Sequence, residues 1–442
     1  MSEIRASSNA GALDPAFADK GVLSLPLPRI PGDEARCVLA LPQSKTLLVI
    51  PWLASGPIVV ARLNEDGTLD TSYGDRQLGF VELLFEGTEI DRVGFKIGAL
   101  ADGGCVVTGL YGSRGIRGLI AIRLRQDGSL EQSFGNGGVR LIPEEDFRRG
   151  TTNVAVRVAQ KIENDGNDPS TAQGNSGGAV AEDPDGKIVL VSNTFDSTGR
   201  QKAVALRLNP DGSTDQSFNG GFAIVELQGV AHLWSSARDV AVQSDGKVVV
   251  CGQYGDNDRR AVFVMRFNSQ GKVDAEFNSN RPVTITASEY IDFRSIRVSK
   301  TAILVVGEAN RSGVNHGLIV MLNSSGSYNL VFNNGAPLFS NLMPGFLYWR
   351  QCALQSEGTV IVTGVGRGTD TRELSVVTAR YRADGKLDST FNDGKGFAVF
   401  ENEMGTHVTD GMDVMEDGRI VICASWLDLN IKSGGWVLRY LG

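Results

Sequence analysis

Short apolar runs separated by polar turns recur along the whole chain, and nowhere do they settle into a sustained period of 3.6 residues. The clearest unit is Asp239-Val240-Ala241-Val242-Gln243-Ser244-Asp245-Gly246-Lys247-Val248-Val249-Val250-Cys251-Gly252. Two β-branched runs flank an Asp-Gly, the pattern of two strands closed by a tight hairpin. Related turns stand at Ser44-Lys45, Asp102-Gly103, Asp185-Gly186, Lys300-Thr301, Glu357-Gly358 and Asp417-Gly418, seven in all. Helix content is therefore expected to be minimal.

A second string alternates with the first. Arg62-Leu63-Asn64-Glu65-Asp66-Gly67-Thr68-Leu69-Asp70-Thr71-Ser72-Tyr73 returns from Arg123 to Phe134, from Arg207 to Phe218 and, from Tyr381, to Phe391. Weaker copies end at Phe277 and Phe332, and a half copy, Leu13 to Phe17, opens the chain. The anchors Phe17, Tyr73, Phe134, Phe218, Phe277, Phe332 and Phe391 are 56, 61, 84, 59, 55 and 59 residues apart. The Asn-x-Asp-Gly turns suit a type I turn followed by a glycine at positive φ. Each unit thus predicts four antiparallel strands, A to D, and seven such units predict an all-β, seven-bladed β-propeller. The chain opens on a lone D strand (Leu13 to Leu25) and ends just after a C strand (Trp436 to Tyr440), so the first is expected to complete the last blade and remove both open edges. Residues 1–12 read as a tail, 13–442 as one propeller domain, and about 161–178 as an insertion.

These strings resemble the delta-60 repeat of bacterial proteins, whose units look like G-K-I-x-V-x-G followed by A-R-L-N-x-D-G-S-L-D-x-S-F-G. Gly186 to Val191 and Leu206 to Ser213 match it closely, as does Tyr381 to Phe391. The pattern weakens where Asn268-Ser269-Gln270-Gly271 and Asn323-Ser324-Ser325-Gly326 lose the Asp. The resemblance implies a propeller, often in surface or exported proteins. It implies no agreed activity and supplies no catalytic residues.

Composition narrows the function. Glycine is 54 of 442 residues, in keeping with many turns, and the net charge is −8. An acidic chain lacks the clustered basic excess that binds nucleic acid. No run of 18 apolar residues provides a membrane span. Met1 to Arg5 does not open a classical secretory signal, so a cytoplasmic location is the default expectation, with export by another route left open. The cysteines, Cys37, Cys105, Cys251, Cys352 and Cys423, sit in apolar strands without metal-binding spacing and read as buried thiols. No EF-hand loop is present, and the turn Asp residues are expected to cap their own turns. No cofactor is expected, with calcium on carboxylates left open. Gly174-Asn175-Ser176-Gly177-Gly178 echoes a serine-protease nucleophile string but lies at the end of the insertion and reads as loop.

Superposing the repeats singles out the start of strand A. Arg238, Arg294 and Arg350 share one position, where Asp410 stands in blade seven and Cys37 and Phe95 are aligned in blades one and two. Trp234, Tyr290 and Phe346 lie four residues before the three arginines, with Trp349 beside Arg350. Three residues further on, where other blades mostly carry Ala or Gly, stand Arg297 and Asp413, which could pair across the channel or bind a ligand or ion. Guanidinium groups suit carboxylate, phosphate or sulfate, and aromatic faces suit sugar rings or peptide anchors. The structural alternative is that the arginines pair with acids such as Asp239, Asp292 or Asp410. The expectation is a non-enzymatic binding propeller recognising an anionic glycan or a protein partner on the face where the A strands begin, through Arg238, Arg294, Arg350, Trp234, Tyr290, Phe346, Trp349, Arg297 and Asp413. Two alternatives stand beside it. One is a propeller hydrolase or lyase using carboxylates such as Asp413, Asp410 and Glu308 with a divalent cation; the other is a pure protein scaffold. Nothing in the sequence specifies an oligomeric state.

Overall fold

A computed structural model describes residues 9–442 except 52–55, 86–88, 91–93, 114–115, 149–179, 288, 356, 370–372, 402–404 and 429–432. The expected insertion, with Ser176, lies outside the described residues.

The apolar runs fold into seven antiparallel sheets arranged as a β-propeller, and the one described α-helix is the single turn Glu144–Arg148. Blade four shows the plan: Trp234–Val242, Val248–Gly255, Arg260–Phe267 and Val283–Thr286 pair in sequence order. Blade two departs from it, because its innermost strand is split into Glu89–Ile90 and Lys96–Ala99, both paired with Cys105–Ser113. Blade seven is built from Thr406–Val414, Ile420–Leu427 and Ser433–Tyr440, and its outer strand is Val22–Ser24. The start of the chain thus seals the last blade, as the repeat arithmetic predicts. The described end of the tail is held too: Gly11 N–H donates to the Leu441 carbonyl, and Ala10 is buried.

Among the described residues the apolar core is divided between the blades. Alternating apolar side chains leave each sheet on both faces, and one apolar cluster fills each of the seven seams between neighbouring blades. The seven aromatic anchors are all buried at the outer ends of these seams. Their repeat reflects a contact between blades, because the anchor of one blade lies against the turn glycine of the next. A Cβ on Gly128 would stand 2.8 Å from the Tyr73 ring, and one on Gly326 would stand 2.7 Å from Phe277. Both glycines also have positive φ (+89° and +90°), so two independent constraints exclude a side chain there.

The Arg and Asp of the second string form a clamp around five of the seven anchors; in blade two Arg123 pairs with Asp102 instead. Arg207 Nε lies 2.7 Å from Asp215, and its guanidinium stacks 4.7 Å above the Phe218 ring. Arg62 with Asp70 and Tyr73, Arg266 with Asp274 and Phe277, and Arg380 with Asp388 and Phe391 repeat the geometry. Arg439, Asp14 and Phe17 make the same clamp from the two ends of the chain, and Arg439 also donates to the Glu65 carbonyl of blade one. In blade five the arginine position holds Met321 and the acid position Asn329, with Leu330 and Val331 exposed beside it. The turn aspartates cap their own turns: Asp66, Asp127 and Asp211 accept from the backbone N–H two residues on.

Candidate active site at the mouth of the central channel

Strand A is the innermost strand of each blade, so its side chains set the chemistry around the axis. In blades four to seven this strand carries a β-bulge at the same level. The register with strand B skips one residue, and the skipped residues are Arg238, Arg294, Arg350 and Asp410. A bulge leaves one residue outside the two-sided alternation and re-aims its side chain. Counting back from the closing pair of the A–B hairpin (Ala40 with Thr46, Val242 with Val248) places Arg36 of blade one at the level of Arg238. The sequence alignment put Cys37 there. Arg36 therefore joins the ring, and Cys37 is a buried thiol donating to the Phe95 carbonyl.

The ring is an alternation of cations and acids in two groups. On one side, Arg238 reaches from blade four to Asp292 of blade five (3.0 Å) and to the Gln253 amide oxygen (2.7 Å). Arg294 pairs with Asp292 (3.3 Å) and with Glu308 (2.9 Å), while the Asn315 amide donates to the other Glu308 oxygen at 2.8 Å. Burial pushes the Glu308 carboxyl up, against the pull of Arg294. Its side chain is only 5% exposed and both oxygens are taken, so Glu308 is a buttress for Arg294.

The second group spans the seam between blades seven and one. The Arg36 guanidinium lies 3.1 Å from Asp410 and also contacts Glu34. Ser425 donates to the second Asp410 oxygen at 2.8 Å, and Ser433 donates to Asp33 next to Glu34. Burial raises the Glu34 carboxyl above its ordinary value; Arg36 opposes the rise, and the charges of Asp410 and Asp33 add to it. Two carboxylates thus share one guanidinium, with side-chain exposures of 18% for Glu34 and 9% for Asp410. Neither Glu34 nor Arg36 is legible as a site from composition or motif; the hairpin count aligns Arg36, and Glu34 is found by its contact with that guanidinium.

Deeper along strand A, Arg297 and Asp413 do not meet as an ion pair. Arg297 lies 3.4 Å from Asp239 of blade four, and Asp413 accepts the N–H groups of Ala40 and Val414 at 2.9 and 2.8 Å. Burial raises the Asp413 carboxyl, while Arg297 acts on it through space. Of the aromatics, Trp234, Tyr290 and Phe346 are half-buried at the heads of their strands. The Trp234 indole donates to the Asp256 carbonyl, Tyr290 donates to Asp292, and Phe346 packs edge-on against Tyr348. Trp349 is fully buried in the seam of blades five and six and offers no face to a ligand. Among the described residues, no group of three or more His, Cys, Asp or Glu comes together that could hold a metal ion. All five cysteines are buried and free, and no described helix is long and apolar enough to cross a membrane. A hollow of about 520 Å³ at blades two and three, lined in part by Asn136, Arg140 and Ser213, contains none of these groups.

Residues 57–73, 184–218 and 243–277 match the family described as "Domain of unknown function (DUF5122) beta-propeller". No curated protein matches the chain by sequence. Among solved structures, the chain is similar to the polysaccharide lyase Uly1, at 10% identity over 92% of this chain and 90% of that one, with a TM-score of 0.47. It is also similar to an α-L-arabinanase of Penicillium chrysogenum (10% identity, 93% of each chain, TM-score 0.38). A third is the α-L-arabinofuranosidase Arb93A from Fusarium graminearum, at 11% identity over 87% of this chain and 99% of that one (TM-score 0.40). These likenesses are of fold. The expectation of a non-enzymatic binding propeller is corrected at its site: two of the three guanidinium groups on which it rested, Arg238 and Arg294, are occupied by acids, and Trp349 is buried.

Proposed function

We propose that this chain is a glycan-processing enzyme, a hydrolase or lyase that cleaves a glycosidic bond with the carboxylates at the seam of blades seven and one. The observation that carries the reading is the pair Glu34 and Asp410 on the single guanidinium of Arg36, with the Glu34 carboxyl raised by burial. Acid–base cleavage needs one carboxyl that keeps its proton and one that does not, and a shared site separates the two. Glu34 protonates the leaving oxygen. Asp410, on its bulge, takes a proton from water in hydrolysis or from the sugar ring in elimination. Of the acids Asp413, Asp410 and Glu308, Asp410 is the one that shares a guanidinium with Glu34.

The test is a reducing-end and ultraviolet assay of the purified protein on a panel of neutral and acidic polysaccharides. Cleavage is expected to persist in EDTA and to fall by about a hundredfold or more in Glu34→Gln and in Asp410→Asn, the range for losing a positioned acid or base. A panel without any cleavage, or variants as fast as the parent protein, would overturn the assignment.

A further inference from the structure

Arg350 occupies the same bulge position as Arg238 and Arg294, yet the acids that engage those two have no counterpart around it. Two residues before the bulge, blade five has Asp292, which both Arg238 and Arg294 contact; blade six has Tyr348 and blade seven Val408. Opposite that position on strand B, Gln253 and Glu308 engage their arginines, whereas blade six has Val365. Among the described residues, Arg350 accordingly makes no ion pair or side-chain hydrogen bond. It is half-buried on the channel wall, and its charge is felt at Glu308. A guanidinium partly withdrawn from water and given no acid leaves its planar pair of donors for something from outside.

We propose that Arg350 is the substrate-specificity residue of the channel mouth, binding the carboxylate of a uronic acid in the glycan. The inference rests on the glycan-processing reading for its ligand and on Arg350's own surroundings for its site. A planar carboxylate matches the guanidinium through two parallel hydrogen bonds, which a neutral hydroxymethyl group cannot supply. Half-buried Phe346 stands at the head of the same strand and gives the ring that bears the carboxylate an apolar neighbour.

The experiment measures binding, so that it is separable from cleavage. Oligomers of galacturonate, glucuronate and mannuronate, each beside its carboxyl-reduced neutral counterpart, are titrated calorimetrically into the parent protein, Arg350→Ala and Arg350→Lys. The expected result is that at least one acidic oligomer binds about ten- to a hundredfold more tightly than its reduced form, the worth of a hydrogen bond to a charged group. Arg350→Ala should abolish that preference, and Arg350→Lys should restore it only in part. The melting temperature should stay unchanged, because no ion pair is broken. Absence of any preference for the acidic forms, or a preference that survives Arg350→Ala, would overturn the proposal. Arg350-dependent binding without cleavage would uphold it while overturning the catalytic reading.

Discussion

At the scale of single residues, the same guanidinium–carboxylate chemistry serves two ends, and its surroundings decide which. In the clamps it is structural. Asp215 accepts from Arg207, Lys187 and the Ser217 hydroxyl and N–H, and both members of the Arg207–Asp215 pair are buried. Removing one partner of such a pair leaves the other charge stranded. Asp215→Asn is therefore expected to cost about 3 kcal/mol of stability, the low end for breaking a buried pair, as read by chemical denaturation. A cost near zero would mean that Phe218 and its glycine seat hold the turn without the charges. At the channel mouth the pairs are partly open, and the acids there differ in their access to solvent. This distinction was only half legible in the sequence. Arg238, Arg294 and Arg350 stood out by spacing, and acid partners such as Asp292 were foreseen as the structural alternative. Arg36 was not, because the alignment of blade one slipped by a single position.

At the scale of elements, the blades were readable because each hairpin announces itself by a turn residue that the backbone demands. The split of the innermost strand in blade two and the bulges in blades four to seven were not, since an unpaired residue is a choice of register that leaves no compositional mark. The shortest strand in the ring's closure has the largest consequence. Val22–Ser24 covers Trp436 to Leu438, and Leu13 bridges to Tyr440, leaving the C strand of blade seven flanked on both sides. A chain lacking residues 1–24 is expected to expose that C strand as an edge, to lose the Asp14–Arg439 pair, and to self-associate. Size-exclusion chromatography with light scattering checks this; a monodisperse monomer of unchanged melting temperature would show that the closing strand is dispensable.

At the scale of the whole molecule, two populations of carboxyl groups set the dependence of stability on pH. In the clamp residues Asp70, Asp215, Asp274 and Asp388 burial would raise the carboxyl, but hydrogen bonds and cations outweigh it and hold each below the ordinary 3.8. Their contribution is present above that value and is lost as pH falls through the depressed ones. Glu34, Glu308 and Asp413 are raised, chiefly by burial, above ordinary values of 4.5, 4.5 and 3.8. Their contribution is complete below those values and is lost as pH rises through the elevated ones. The two windows meet in mildly acidic solution, where the melting temperature is expected to peak, with a further fall towards neutrality as the net charge of −8 develops. A melting temperature that climbs steadily to pH 8 would contradict this.

The seams carry a last consequence. Because every apolar cluster belongs to two neighbouring blades and none belongs to the whole, extra chain between two blades need not disturb the packing of the others. The chain already uses this freedom: 84 residues separate Phe134 from Phe218, yet blade three pairs its four strands in the common order. Such a joint is a natural graft point, where a foreign peptide or a whole small domain can be spliced in as cargo and the wheel still turns out round.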